Sequence, residues 1–186
     1  MIKKSNTFVF VLTLASIFVC QAQYVYANGS SEKHADLSVV HSFEKYPAKI
    51  SEPRNPPRLV LTTRLAKRYK TVITDASTQQ VDFAGHYRVA TWGCGTDCRG
   101  FAIINKLNGV VYTLPGVEYV AGVMGNEEDR LAFKTDSNLF IITGIINDEK
   151  EGKYYYLWKK DKLNLLVKRP VVKVDFSKPE ASSEVK

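Results

Sequence analysis

Two cysteines separated by three residues, Cys94 and Cys98, have the most restricted chemistry in this chain. They lie in the segment Trp92-Gly93-Cys94-Gly95-Thr96-Asp97-Cys98, where glycines on both sides of Cys94 favour a turn. The third cysteine, Cys20, belongs to a segment with the features of an export signal, and removal of that segment leaves two. An even number of cysteines in an oxidising compartment favours a disulfide. We therefore predict a Cys94–Cys98 disulfide that shapes one turn and contributes about 2 kcal/mol.

The side chains around this turn offer a second chemistry. On a strand, residues two apart share a face, so His86 and Arg88 would point the same way, with Asp97 nearby in the sequence. A histidine, an arginine and an aspartate suffice for acid–base catalysis or anion binding. A small hydrolase or acid–base enzyme that uses these three residues is therefore the alternative hypothesis. A structural, hydrogen-bonding role for His86 is the simpler one.

Cysteine catalysis and metal binding are less favoured by this pattern. A disulfide removes the thiolate that nucleophilic catalysis needs, and redox dithiols usually have two intervening residues rather than three. His86, Cys94 and Cys98 are ligand types that zinc and copper accept. The sequence supplies no convincing fourth ligand, because His34 and His41 lie in a polar segment before the predicted core. We expect no metal and no cofactor.

The start of the chain has the order of features of a secretory signal peptide. Lys3 and Lys4 precede an apolar run from Phe8 to Val19, and Val25-Tyr26-Ala27 resembles a small-residue cleavage site. The run of about 12 residues is shorter than the roughly 20 that span a bilayer as a helix. We predict a signal peptide (1–27), a periplasmic or secreted location, and no transmembrane helix in the mature chain. Lipid attachment at Cys20 is a rival hypothesis, although bulky residues precede it where a small one is usual.

The mature chain is one domain in length and moderately basic. Removing Lys3 and Lys4 from the 26 Lys and Arg leaves 24 against 19 Asp and Glu, a net charge of +5. This excess permits contact with an anionic surface, although solubility is its commoner cause. Aromatic residues are sparse in the basic stretch Arg58–Lys70, and nucleic-acid binding would be unusual for an exported chain, so we expect no nucleic-acid partner. The predicted segments are a polar linker or arm (28–55), one folded β-rich domain (56–175) and a flexible tail (176–186).

Hydrophobic periodicity predicts one helix followed by strands. Apolar residues recur at spacings of three and four from Leu61 to Ala76, which indicates an amphipathic helix that starts after Asn55, or at Thr62 or Thr63. We expect this helix to cover one face of a sheet.

Runs of β-branched and aromatic residues follow the helix, separated by turn signals. Asn108-Gly109 is the strongest hairpin signal among them. The odd-numbered and the even-numbered residues of Phe101–Ile104 are all apolar, which is typical of a strand covered on two faces or of a curled sheet. We predict an α+β, mostly β fold: an antiparallel meander of about six to eight strands, curled or barrel-like, with one N-terminal amphipathic helix. The predicted strands are Gly85–Trp92, Gly100–Asn105, Val110–Leu114, Arg130–Lys134, Asn138–Ile146, Lys153–Lys159 and Leu163–Lys168.

Three segments resemble an uncharacterised family of small exported bacterial proteins. They are Phe83-Ala84-Gly85-His86-Tyr87, the cysteine turn Gly93-Cys94-Gly95-Thr96-Asp97-Cys98, and Ala66-Lys67-Arg68-Tyr69 as the counterpart of a basic helix. The likeness extends from Arg64 to Leu114. It implies a shared fold and export from the cell, and it implies no catalytic role.

These observations favour an exported, non-enzymatic binding or envelope-associated module over an enzyme. A disulfide-closed turn is preorganised, so it loses less entropy when it docks onto a partner. We expect Trp92, Thr96, Asp97 and Arg99 to form the contact. The expected partner is an envelope protein or an anionic envelope component.

Overall fold

The computed structural model describes residues 41–51, 53 and 58–174. The predicted signal peptide (1–27), the predicted arm as far as residue 40 and the predicted tail (176–186) lie outside the described residues.

The described chain is mostly β, as the sequence predicted. Its nine strands form a single sheet. They are β1 (Val60–Leu61), β2 (Tyr87–Gly93), β3 (Cys98–Asn105), β4 (Val110–Tyr112), β5 (Val120–Ala121), β6 (Leu131–Phe133), β7 (Leu139–Ile146), β8 (Lys150–Trp158) and β9 (Leu163–Arg169).

Two short helices replace the single predicted helix: α1 (Arg64–Arg68) and α2 (Lys70–Ser77). Thr63 caps α1, since its Oγ1 accepts a hydrogen bond from Ala66 N at 3.1 Å. The two helices meet at Tyr69, whose backbone leaves the helical region (φ −103°, ψ 27°). Its ring stacks on Trp92 of β2 with centroids 4.1 Å apart, so the break between the helices lies at a contact with the sheet.

β3 and β7 organise the sheet. β2 pairs antiparallel along nearly all of β3, and β8 pairs along β7. The opposite edges of β3 and β7 are joined by the two-residue β5, which pairs with both. β4 and β6 pair with the remaining parts of those edges, and β9 pairs with β8. The sheet therefore has two halves, β1–β4 and β6–β9, connected through β5, and it is not closed.

One pairing makes the sheet mixed. β1 runs parallel to β4, with Val60 beside Val110 and Leu61 beside Val111. The prediction of a pure antiparallel meander is wrong for this reason, and so is the assignment of Leu61 to a helix. β1 and β5 have two residues each, too few to show a period in the sequence. The seven predicted strands are all present, and Asn108-Gly109 connects β3 to β4 as a hairpin.

Alternate residues of β3 enter two separate cores. Phe101 and Ile103 pack between the two halves of the sheet, among aromatic residues of β7 and β8. Ala102 and Ile104 pack on the other face, against α1 and α2. All four are almost completely buried. This arrangement explains why the residues on both faces of β3 are apolar. It also places the helices on one face of the sheet, as predicted.

Residues 42–51 of the predicted arm are attached to the domain. Asn138 N donates to Tyr46 O at 2.7 Å, and Ser51 N donates to Gly85 O at 2.8 Å. The compact unit that contains the sheet starts at Ser42. The sequence did not predict this attachment because backbone hydrogen bonds to distant loops need no hydrophobic period.

Candidate functional site

The cysteine turn is closed by a disulfide between Cys94 and Cys98, as predicted, with Cα atoms 5.2 Å apart. Residues 93–97 are all exposed, whereas Cys98 is buried at the start of β3. The turn therefore projects from the β2–β3 hairpin while one sulfur is anchored in the domain.

Asp97 fixes the same turn a second time. It has a left-handed backbone (φ 51°), and its carbonyl accepts a hydrogen bond from Gly122 N at 2.8 Å. Its carboxylate pairs with Arg130 Nε at 3.1 Å and lies over Gly122, where any Cβ would collide with it. The Arg130 side chain is only 10% exposed and also contacts Asn126. Asp97 is therefore an anchor of the turn rather than a free contact residue.

The other predicted contact residues divide into two groups. Thr96 and Arg99 are exposed, and Arg99 Nη1 donates to the Cys98 carbonyl at 3.1 Å. Trp92 is only 7% exposed, and its indole is stacked on Tyr69 in the core between the sheet and the two helices. Its position on β2 directs Trp92 under the helices and away from the exposed surface of the turn.

The alternative catalytic set, His86, Arg88 and Asp97, is not assembled. Arg88 pairs with Asp82 at 2.7 Å and also contacts Gln79, at the start of β2. Asp97 pairs with Arg130 beyond the opposite end of that strand, about 20 Å away for a strand of this length. Residues at the two ends of one strand share no reaction centre, so the structure gives no support to acid–base chemistry by this set.

His86 lies in the tight turn that precedes β2, where Ala84 and Gly85 both have positive φ. Its ring centroid is 4.2 Å from that of Tyr87. Burial lowers the pKa of His86, and the nearby Asp161 carboxylate opposes this shift. The carboxylate that acts on His86 therefore belongs to a residue 75 positions later in the chain.

Asp161 is the centre of a polar cluster that sequence reasoning missed. It has a left-handed backbone (φ 57°) in the turn between β8 and β9. The Tyr87 hydroxyl donates to its Oδ1 at 2.7 Å, and burial together with this bond raises the pKa of Tyr87. Burial, and then the interaction with Asp161, raises the pKa of Tyr112 to about 12. One carboxylate therefore interacts with tyrosines of β2 and β4, in the other half of the sheet.

Trp158, the last residue of β8, packs between these tyrosines. Its ring meets Tyr87 and Tyr112 edge to face, with centroids 5.0 Å and 5.6 Å away. The sequence signal for this packing is the alternation of Tyr154, Tyr156 and Trp158 along β8. All three side chains are buried in the core that also contains Phe101 and Ile103. That alternation predicts an inward face, but it does not predict which strand lies opposite.

Two clefts share Trp158 and Asp161 as part of their walls. The larger, of about 600 Å³, is open and includes His86, Lys49 and Lys160. The smaller, of about 340 Å³, is more enclosed and lies between the end of β4 and the β8–β9 turn. We call the smaller one the seam pocket; its lining residues are Thr62, Thr63, Ile103, Tyr112, Thr113, Leu114, Pro115, Trp158, Asp161, Lys162, Leu163 and Asn164.

The part of the chain that the structure describes contains neither a metal-ligand cluster nor a membrane-spanning helix. In residues 41–51, 53 and 58–174, no group of three or more His, Cys, Asp or Glu side chains is arranged to hold a metal ion. Neither α1 nor α2 is long and apolar enough to cross a bilayer. No family model, no curated protein and no solved structure matches this chain, so the site has to be interpreted from its own geometry.

Proposed function

We propose that the protein is an exported, non-enzymatic binding module that contacts a partner protein of the cell envelope through the disulfide-closed turn. The observation that carries this proposal is that residues 93–97 are all exposed and yet fixed at two points. The disulfide fixes one point, and Asp97, with its bonds to Gly122 and Arg130, fixes the other.

The stabilisation that the disulfide alone provides is modest. A ring of about five residues contributes about 2 kcal/mol through chain entropy, less than a long loop would. Its larger effect is to hold an exposed segment in one shape, which lowers the entropy lost on docking. A rigid projecting turn of this kind supports insertion into a cleft of another protein, including the cleft of an envelope enzyme that it would inhibit.

Charge favours a protein partner over an anionic surface at this site. Residues 93–99 contain one acid, Asp97, and one base, Arg99, so the turn has no net charge. Attraction to an anionic surface needs an excess of basic residues. The resemblance to exported proteins and the disulfide both support a periplasmic or secreted location, which intact mass spectrometry tests. We expect a chain that begins at Asn28 and is two hydrogens lighter than its reduced form.

Site-specific photo-crosslinking tests the contact in the organism that produces the protein. A photoreactive residue replaces Thr96 on the turn, and the matched control places it at Leu107, which is 54% exposed in the β3–β4 hairpin. We expect a discrete cross-linked protein from position 96 that is missing from position 107 and is lost after disulfide reduction. Equal products from both positions, or none from position 96, would refute the proposal. Binding to phosphatidylglycerol vesicles that Arg99→Glu abolishes would replace the protein partner with an anionic surface.

A further inference from the structure

The seam pocket is a second site, separate from the disulfide-closed turn. At about 340 Å³ it lies at the small end of the range for small-molecule pockets, roughly 300–1,000 Å³. Its walls come from both ends of an open sheet: Tyr112 and Thr113 at the end of β4, and Trp158 with residues 161–164 around the β8–β9 turn. A ligand here would occupy the gap where the sheet does not close.

The first polar group of the pocket is the Asp161 carboxylate, which is held in place before any ligand binds. Tyr87 donates to one of its oxygens, Oδ1, at 2.7 Å, and Tyr112 interacts with it from β4. A carboxylate has about four acceptor positions, so these contacts leave capacity for donors on a ligand. Preorganised acceptors of this kind lose little entropy on binding.

The second polar group is the indole N–H of Trp158. This side chain is only 6% exposed, and its Nε1 has no hydrogen-bond partner with good geometry among the described residues. The indole lies close enough to the Tyr87 hydroxyl to oppose the rise in the pKa of Tyr87, but no hydrogen bond of good geometry joins the two groups. Buried polar groups without partners are rare in folded proteins and need an explanation. Because Trp158 lines the pocket, an acceptor on a ligand would satisfy it.

The remaining lining determines what kind of ligand is suited. Asp161 and Lys162 are the charged residues of the wall, and their charges cancel. A wall without net charge gives no advantage to an ion. Three hydroxyl groups, on Thr62, Thr63 and Thr113, lie beside apolar surface such as that of Ile103 and Leu163.

We propose that the seam pocket binds a neutral saccharide of one or two rings. A sugar ring offers hydroxyl donors to Asp161 and a hydroxyl acceptor to Trp158, and one of its C–H faces packs against the partly exposed ring of Tyr112. A purely apolar ligand is disfavoured, since it would cover the partly buried Asp161 carboxylate and offer no donor to its remaining acceptor positions. The proposal does not depend on the function of the disulfide-closed turn.

The two tryptophans of the chain provide the assay. Only Trp92 and Trp158 contribute indole signals to an ¹H–¹⁵N spectrum, and the variant Trp92→Phe assigns them. The oxidised mature protein is titrated with neutral mono- and disaccharides, including glucose, galactose, N-acetylglucosamine and their dimers. We expect at least one sugar to shift the Trp158 signal saturably, while the Trp92 signal, from an indole stacked on Tyr69, stays in place.

Two variants link the shift to the polar groups. Asp161→Asn should weaken binding roughly tenfold, as expected for a lost charge-assisted hydrogen bond. Trp158→Phe keeps an aromatic ring without the N–H and should weaken binding roughly fivefold, measured by calorimetry. The matched control is Asp148→Asn. Asp148 also has a left-handed backbone and also accepts from a tyrosine, Tyr119, at 2.7 Å, but it does not line the pocket. It should leave the dissociation constant unchanged.

Three results would overturn the proposal. The first is the lack of any saturable Trp158 shift up to about 50 mM sugar, a concentration that would detect even millimolar binding. The second is a shift produced by tetramethylammonium or inorganic phosphate and by no neutral sugar, which would assign the pocket to an ion. The third is sugar binding that Asp161→Asn and Asp148→Asn weaken equally.

Discussion

Removal of the disulfide should lower the free energy of unfolding by about 2 kcal/mol. Cys94 and Cys98 are four positions apart, and a closed segment of about five residues gives this value at 25 °C in the chain-entropy relation. The double variant Cys94→Ser, Cys98→Ala suits the two environments, because Cys94 is exposed whereas Cys98 is 7% exposed. Urea unfolding, followed by tryptophan fluorescence, measures the change.

Asp97 makes this prediction sharper. The variant Asp97→Asn removes the carboxylate charge that pairs with Arg130 and keeps the backbone bond to Gly122, so it should lower the free energy of unfolding by about 1 kcal/mol. The same substitution should cost more when the disulfide is absent. Non-additivity above about 0.5 kcal/mol in the double-mutant cycle would show that the two fixations act on one segment.

Reductant provides the control for the cysteine prediction. It should destabilise the wild-type protein by the same amount and leave the double variant unchanged. A loss above about 4 kcal/mol would refute the reasoning, since it would mean that the bridge connects parts of the fold beyond its own turn. A loss near zero would show that Asp97 holds the turn by itself and that the covalent ring adds no constraint.

Three further outcomes follow from single contacts. Lys106 is 6% exposed, and its ammonium donates to the carbonyls of Ser77 and Gln79 at the end of α2. Lys106→Met should therefore lower the free energy of unfolding in urea by about 2–3 kcal/mol. The control Lys150→Met, at an exposed position, should lower it by less than about 0.5 kcal/mol. Thr63→Ala removes the cap of α1 and should cost about 1 kcal/mol by the same measurement; no change would mean that the cap contributes nothing. Because burial and Asp161 raise the pKa of Tyr112 to about 12, stability should be retained below about pH 10 and lost as the pH rises towards 12, where the unfolded chain has already released this proton. Absorbance at 295 nm follows the ionisation, and Asp161→Asn should move it to lower pH; a shift to higher pH would contradict the sign.

Local patterns were enough to predict most elements of the sheet. Seven strands and the Asn108-Gly109 hairpin followed from alternation and turn chemistry, because both depend on neighbours in the chain. β1 and β5 escaped detection for the opposite reason. Each is a two-residue pairing that exists only because a distant strand lies beside it, and β5 nevertheless connects the two halves of the sheet.

The candidate sites show the same division. The disulfide could be predicted from spacing and cysteine number, and Thr63 was among the predicted starts of the helix. Trp92 was assigned to the contact surface because its sequence neighbours are turn residues, yet its strand position places it beneath Tyr69. His86, Arg88 and Asp97 are close in the sequence, but His86 and Arg88 lie at the start of β2 and the length of that strand separates them from Asp97.

The sequence by itself determined a mostly β chain with one covalently closed turn, since period, turn residues and the distance between two thiols are local properties. Only the tertiary structure decided that Asp161 meets Tyr87 and Tyr112, and that Trp158 retains an unsatisfied N–H beside them. Those contacts depend on how an open sheet curls, which is determined by the packing of two opposed cores rather than by any single segment.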